Sequence, residues 1–232
     1  MGELQENHHN KIKILEPNLT GVGMVPVFSI GQRALLVHTE AGNVLWDTIP
    51  LLDEMTITTV NALGGISAIA ISHPHFYSSM VDWAHAFEAP IYLHETDKEW
   101  VMRPDPSIVY WGGDALALPG NLTLIHAGGH FPGGTVMHWP EGAEGKGVLL
   151  TGDIINVAAD TRYVSFMYSY PNLIPLSARD IRRIVAAVEP YDFDRIYSAW
   201  WDRVTRENGK EVVRNSAQRY LEAIECEKEP AA

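Results

Sequence analysis

Two blocks of short apolar runs, each broken by Gly-containing turns and followed by helix-type sequence, leave few architectures open to this chain. In the first block "GMVPVFSI", "RALLVHT" and "GNVLWDT" read as an antiparallel meander. A helix over residues 53–63 follows, then "ISAIAIS" at 66–72, which is short, largely apolar and bounded by Gly and Pro, and so predicts a buried strand. Residues 78–87 read as a helix capped by Ser78 or Ser79, "PIYLHE" as a strand and "TDKEWVM" as a helix opened by Thr96. The second block returns to strands in "ALALP", "LTLIHA", "GTVMHWP" and "GVLLTGD". An aromatic stretch of little periodicity spans 154–177, then come a helix capped by Ser177 and stopped by Pro190, a last strand in "FDRIYSAW" and a terminal amphipathic helix. Both blocks fit an α/β (α+β) four-layer αββα sandwich, two mixed β-sheets face to face with helices outside.

With 232 residues, 46% of them hydrophobic, the chain can bury one full core. The expected organisation is a polar N-terminal tail over residues 1–12 and a single domain over 13–232. No window approaches the ~20 apolar residues of a membrane span, and the first twelve residues are too polar for a signal peptide, so the expectation is a cytoplasmic protein with no membrane partner. A net charge of -12 opposes the basic footprint that nucleic acid demands. The one cysteine, Cys226, allows neither an internal disulfide nor a cysteine zinc cluster, which leaves histidine and carboxylate as metal donors.

Four donors stand where strands end: His73 and His75 after "ISAIAIS", His130 after "LTLIHAGG" and Asp153 after "GVLLTG". Strand ends along one edge of a sandwich can share a cleft. Three imidazoles with an open position suit zinc, and Asp153 is either a fourth ligand or a bridge to a second ion.

The ordered set "LWDT" with Asp47, "SHPH" with His73 and His75, "GGHFPGGTVMHWP" with His130 and "LLTGD" with Asp153 resembles the metallo-β-lactamase fold superfamily over almost the whole chain after residue 20. The resemblance implies an αββα fold with a metal cleft at the sandwich edge and, usually, hydrolysis. The chain departs from the family at its second metal position: the pattern His-x-His-x-Asp-His ends here in Tyr77 and Ser78, and the closing His aligns with Trp200. None of these is a good divalent-cation ligand. The implied enzyme is therefore mononuclear: His73, His75, His130 and Asp153 hold one zinc, with iron as the alternative ion. Its metal-bound water, oriented by Asp153, attacks an ester, lactone, thioester or amide of a small-molecule substrate. A metal-free binding module reusing the same cleft is the competing reading, motivated by the loss of the second position. The oligomeric state, a homodimer included, stays open.

Simpler roles compete at each residue. His73 and His75 can be turn histidines, Asp153 can cap a helix over "IINVAAD", and Asp47 suits loop support better than ligation. Tyr77 either fills the second position or acts catalytically by donating its hydroxyl to a developing oxyanion. Asp82 reads as a solvated helix carboxylate, His126 as a residue of a strand-like run that faces away from His130, and His38, His85, His94 and His138 as ordinary surface or core histidines. Trp200, Trp201, Tyr168 and Tyr170 are candidates to line an apolar substrate mouth, with Arg162 beside them for an anionic group.

Overall fold

A computed structural model describes residues 2–225. The helix α1 (Gly2–Asn7) leads into a seven-stranded sheet of β1 (His9–Glu16), β2 (Leu19–Val25), β3 (Arg33–Val37), β4 (Val44–Trp46), β5 (Ala68–Ala70), β6 (Ile91–His94) and β7 (Ile108–Trp111), in that spatial order. The first four pair antiparallel and the last three add in parallel. Parallel strands need crossovers, and α2 (Glu54–Ala62) and α3 (Met80–Phe87) supply two of them.

The second sheet contains β8 (Ala115–Leu118), β9 (Leu122–His126), β10 (Thr135–Trp139) and β11 (Val148–Gly152), with a one-turn element α4 (Gly142–Gly145) before β11. Two small hairpins follow: β12 (Asn156–Val157) with β13 (Val164–Ser165), and β14 (Met167–Ser169) with β15 (Ile174–Pro175). Then α5 (Ala178–Val188), β16 (Arg195–Ser198), β17 (Val204–Thr205) and α6 (Gly209–Glu225) complete the element order. The sheet runs β17-β16-β11-β10-β9-β8.

Period-two alternation assigns each strand face to a layer. Ala34 and Leu36 of β3 pack toward α2 and α3 with Trp83 and Val60, whereas Leu35 and Val37 face the other sheet. On β11, Val148 and Leu150 meet them across the interface, while Leu149 points to α5 and α6 with Ile181 and Val213. Three apolar layers between four structural layers make the αββα sandwich. Each fully buried Leu or Ile there contributes about 1.5–3 kcal/mol.

Several expected boundaries move. β1 begins at His9, inside the stretch read as a tail, because its residues pair with Val25 back to Leu19 of β2. The buried strand shortens to Ala68–Ala70. The segment after β6 is a 3-10 helix (Glu95–Trp100) capped by the His94 side chain, which accepts from the Thr96 N–H. Ser79 stands at the start of α3, but its hydroxyl donates to Ile49 O instead of capping the helix. "FDRIYSAW" is not the last strand, since β17 follows it. No helix starts at Asp153, where a turn leads into β12, so a capping role is removed. Cys226 lies outside the described residues.

Candidate metal centre

Backbone bonds stitch the strand ends of both sheets together at one edge. Asp47 directly follows β4, donates its N–H to Ala70 O and accepts the Ser72 N–H at Oδ1, 2.8 Å. Its carboxylate therefore shapes the turn that presents His73, the loop-supporting role its position suggests. Thr135, at the start of β10, donates its N–H to Ser72 O at 2.9 Å and ties the second sheet to that turn. Asp153 follows β11, where Gly152 has φ 57° and a Cβ would stand 2.4 Å from Ser72 Oγ. Only glycine lets this strand end come that close.

His73, His75, His130 and Asp153 converge there. One donor atom from each lies within 4.8 Å of all the others. The imidazole centroids are 4.9, 5.1 and 5.2 Å apart, and His75 Nδ1 is 3.4 Å from His130 Nε2. The outer nitrogens are held: His73 Nδ1 lies 2.9 Å from Ser72 Oγ, and His130 Nδ1 lies 3.1 Å from Met167 O. A carbonyl only accepts, so His130 carries its proton on Nδ1 and turns the Nε2 lone pair inward.

His73 is fully buried and its Nε2 lies 3.0 Å from Asp153 Oδ1, yet neither atom makes a hydrogen bond. Two buried polar atoms this close and unbonded incur a desolvation cost unless a third group lies between them. The orphaned pair, the neutral inward nitrogens and the carboxylate fit a divalent cation, with donors of the type that zinc or iron takes.

Burial dominates the electrostatics. It holds the His73 imidazole well below the usual histidine range, with His130 and His75 adding to the effect, and it lowers His75 and His130 as well. All three rings are thus neutral and able to ligate near pH 7. The Asp153 carboxyl is pushed up to about 8 by burial first and the nearby Asp47 second. Asp47 itself is raised to about 7 by burial.

The remaining candidates divide. Tyr77 is buried in the core cluster under the first sheet; burial, then Asp97, Tyr110 and Asp47, push its hydroxyl far above the ordinary tyrosine range, so it stays protonated. Ser78 is exposed. Trp200 donates its indole N–H to Ile30 O at 2.7 Å. Tyr170 does reach the site: its hydroxyl donates to Asp153 O at 2.7 Å and its ring meets His130 edge-on at 5.5 Å. Tyr168 is exposed beside Met167, the carbonyl partner of His130.

Trp201 does not line a mouth. It lies over Gly21 and Gly23 of β2, with Lys11 and Arg33 against its ring. Arg162 is spent on Asp160 of its own loop, 2.7 Å away, and Asp82 pairs with Arg103 at the surface. His38, His85 and His138 bond to Thr20, Asp105 and Asp192 respectively, as ordinary histidines do.

Two supporting residues escape sequence reading. Asp97 of the 3-10 helix accepts the Gly133 N–H at 2.7 Å and so clamps the loop that carries His130; a Cβ on Gly133 would stand 2.6 Å from the Asp97 carboxyl carbon. His94 stacks at 3.7 Å on His126, whose Nε2 lies 2.8 Å from Pro132 O at the other end of the same loop. The doubled glycine after Pro132 is the sequence signal for this close approach. Phe131 is the second omission: its ring stands 5.0, 5.2 and 5.4 Å from the His75, His130 and His73 rings.

The uncharacterized protein YmaE of Bacillus subtilis (strain 168) is 53% identical over 221 residues, covering 95% of this chain and 80% of that protein. The chain belongs to the YmaE family. No protein-family model matches it. Among solved structures, VMB-1 at pH 5.5 superposes with a TM-score of 0.68 at 14% identity, covering 93% of this chain and 98% of VMB-1. The Rm3 metallo-beta-lactamase gives 0.63 at 18%, covering 95% and 96%. DIM-1 metallo-beta-lactamase exposed to ceftazidime gives 0.64 at 15%, covering 91% and 98%. This YmaE-family chain therefore has the metallo-β-lactamase fold. No helix among its described residues is long and apolar enough to cross a membrane.

Proposed function

We propose that the chain is a mononuclear metal-dependent hydrolase in which His73, His75, His130 and Asp153 hold one zinc ion. The observation that carries this reading is the orphaned His73 Nε2–Asp153 Oδ1 contact at 3.0 Å inside a four-donor cluster. A divalent cation held by these four residues would supply a water acidified to a pKa of about 7 and a polarised carbonyl oxygen, the chemistry that opens an ester, lactone, thioester or amide.

The chain's own groups do the rest. Ser72 and Met167 fix the ring orientations of His73 and His130, and Tyr170 fixes the backbone of Asp153. Asp153, the one carboxylate among the four donors, is the group we assign to orient the attacking water. Tyr77 is assigned a packing role in the buried core in preference to a catalytic oxyanion donor.

The residues at the second metal position support a single ion. Tyr77 is buried in the core, Ser78 faces solvent and the Trp200 N–H is already donated. The same three residues motivate the competing reading, a metal-free module that binds a ligand in this cleft.

Zinc-loaded protein assayed against phenyl acetate, a γ-lactone and an acyl thioester tests the proposal. Turnover of at least one substrate, abolished by His130→Ala and by chelator and restored by zinc, is expected. Zinc-independent turnover would contradict the proposal, and saturable binding without any turnover would favour the other reading.

A further inference from the structure

The exposed large apolar side chains are not scattered. Among the described residues most of them fall in three segments, and each segment is tied to the metal cluster. The first is the loop after β2, where Val27 is 73% exposed and Phe28 and Ile30 are also open to solvent. It is held to the cluster through Ile30 O and Trp200, whose neighbour Ala199 donates its N–H to Gly152 O, next to Asp153. The second is the end of the 3-10 helix: Trp100, 47% exposed, meets Phe131 edge-on at 5.5 Å, and Phe131 stands 5.0 Å from His75. The third is the β14–β15 hairpin, with Tyr168 at 62% and Leu173 at 78% exposure, whose base supplies the Met167 carbonyl to His130.

Apolar surface concentrated around one polar cluster marks a binding site. The charges say what does not bind. No lysine or arginine among the described residues bonds to any of the four donors, and the chain carries a net charge of -12, which repels anions. A cavity of about 450 Å³ lined by Tyr163, Arg219 and Tyr220 and another of about 710 Å³ around His38 and Asn121 include none of the four donors. Of the four donors only His75 is exposed.

From this arrangement we infer that the substrate is an uncharged acyl compound, an ester, lactone or thioester, whose apolar acyl chain lies along Phe131 and Trp100 while its carbonyl reaches the metal cluster. The inference rests on the hydrolase reading above. Phe131 and Trp100 are then specificity residues, and the β14–β15 tip forms the far wall.

Hydroxamates separate the two claims, because the headgroup seeks the metal and the chain seeks the wall. Calorimetry on the zinc-loaded full chain compares acetohydroxamate, octanohydroxamate and the octano compound bearing a terminal carboxylate. Octanohydroxamate is expected to bind at least ~10-fold more tightly than acetohydroxamate, with the terminal carboxylate removing most of the gain. Trp100→Ala should cut the ratio of octanohydroxamate to acetohydroxamate affinity several-fold. Leu173→Asn provides a second, surface variant, asparagine being suited to the left-handed backbone at φ 56°. Equal affinity for the two simple hydroxamates would overturn the apolar-chain inference alone. Binding of neither would overturn the metal reading and the inference with it. A protein that sediments with neutral phosphatidylcholine vesicles but shows no chain-length gain would make the patch a lipid-facing surface and contradict the inference.

Discussion

His73 Nε2 and Asp153 Oδ1 stand 3.0 Å apart, from opposite sheets, without a hydrogen bond between them. Burial pushes the imidazole and the carboxyl each toward its neutral form, so their approach is not that of an ordinary ion pair. Their orientation toward a common point is the relationship on which the metal reading stands.

Proton release follows from it. With a carboxyl raised to about 8, Asp153 in the metal-free protein is mostly protonated at pH 7, and a ligating carboxylate is not. Zinc binding at pH 7 should therefore release about one proton, falling toward zero by about pH 9 and absent in Asp153→Asn. Calorimetry in two buffers of different ionisation enthalpy measures it.

The same shift sets a stability slope. A carboxyl whose folded value lies above its unfolded value of about 4 stabilises the fold while protonated, and that contribution is lost as pH rises through about 8. Metal-free protein should lose stability between pH 5 and 8 relative to Asp153→Asn, and saturating zinc should remove the difference. Denaturant titrations of both proteins, with and without zinc, provide the check.

Ser72→Ala removes the partner of His73 Nδ1 without touching a donor atom. Zinc affinity should fall roughly 10-fold, in the range seen for groups that orient metal ligands, with an unchanged stoichiometry. Competition against a chromophoric chelator reads both quantities.

Asp97→Asn keeps an acceptor for the Gly133 N–H but removes a carboxyl that burial pushes up to about 6. Protonated Asp97 stabilises the fold below about pH 4, and this is lost as pH rises through about 6, so the variant should gain on the parent across that window. Asp97→Ala removes the clamp itself and should weaken zinc binding. Unfolding curves at pH 4, 5.5 and 7 and chelator competition test the pair.

Tyr77→Phe should leave zinc affinity unaltered and change kcat by less than ~3-fold, because the hydroxyl makes no bond to the four donors. A fall of ~100-fold in kcat at constant KM would instead give Tyr77 the oxyanion role.

The four donors were legible because each follows an apolar run that ends abruptly in glycine or a polar turn, and such runs must be buried strands. The layers were legible for the same reason: β3 and β11 carry apolar side chains on consecutive residues, so both faces of each strand have to meet a core. Asp97 was not, since its partner Gly133 is 36 residues away and nothing local to a 3-10 helix announces a clamp. Trp201 and Arg162 looked like mouth residues only by composition. The flat packing surface that Gly21 and Gly23 offer to Trp201, and the local pairing of Arg162 with Asp160, are tertiary facts. The early start of β1 was hidden because a strand with one open face tolerates a polar sequence such as "HNKIKILE".

The most direct test is elemental analysis joined to zinc K-edge absorption on full-length protein purified in zinc. The account predicts one zinc per chain, bound by three imidazole nitrogens and carboxylate oxygen, and lost in His130→Ala. Two ions per chain, or a metal-free protein with those rings hydrogen-bonded to one another, would contradict it.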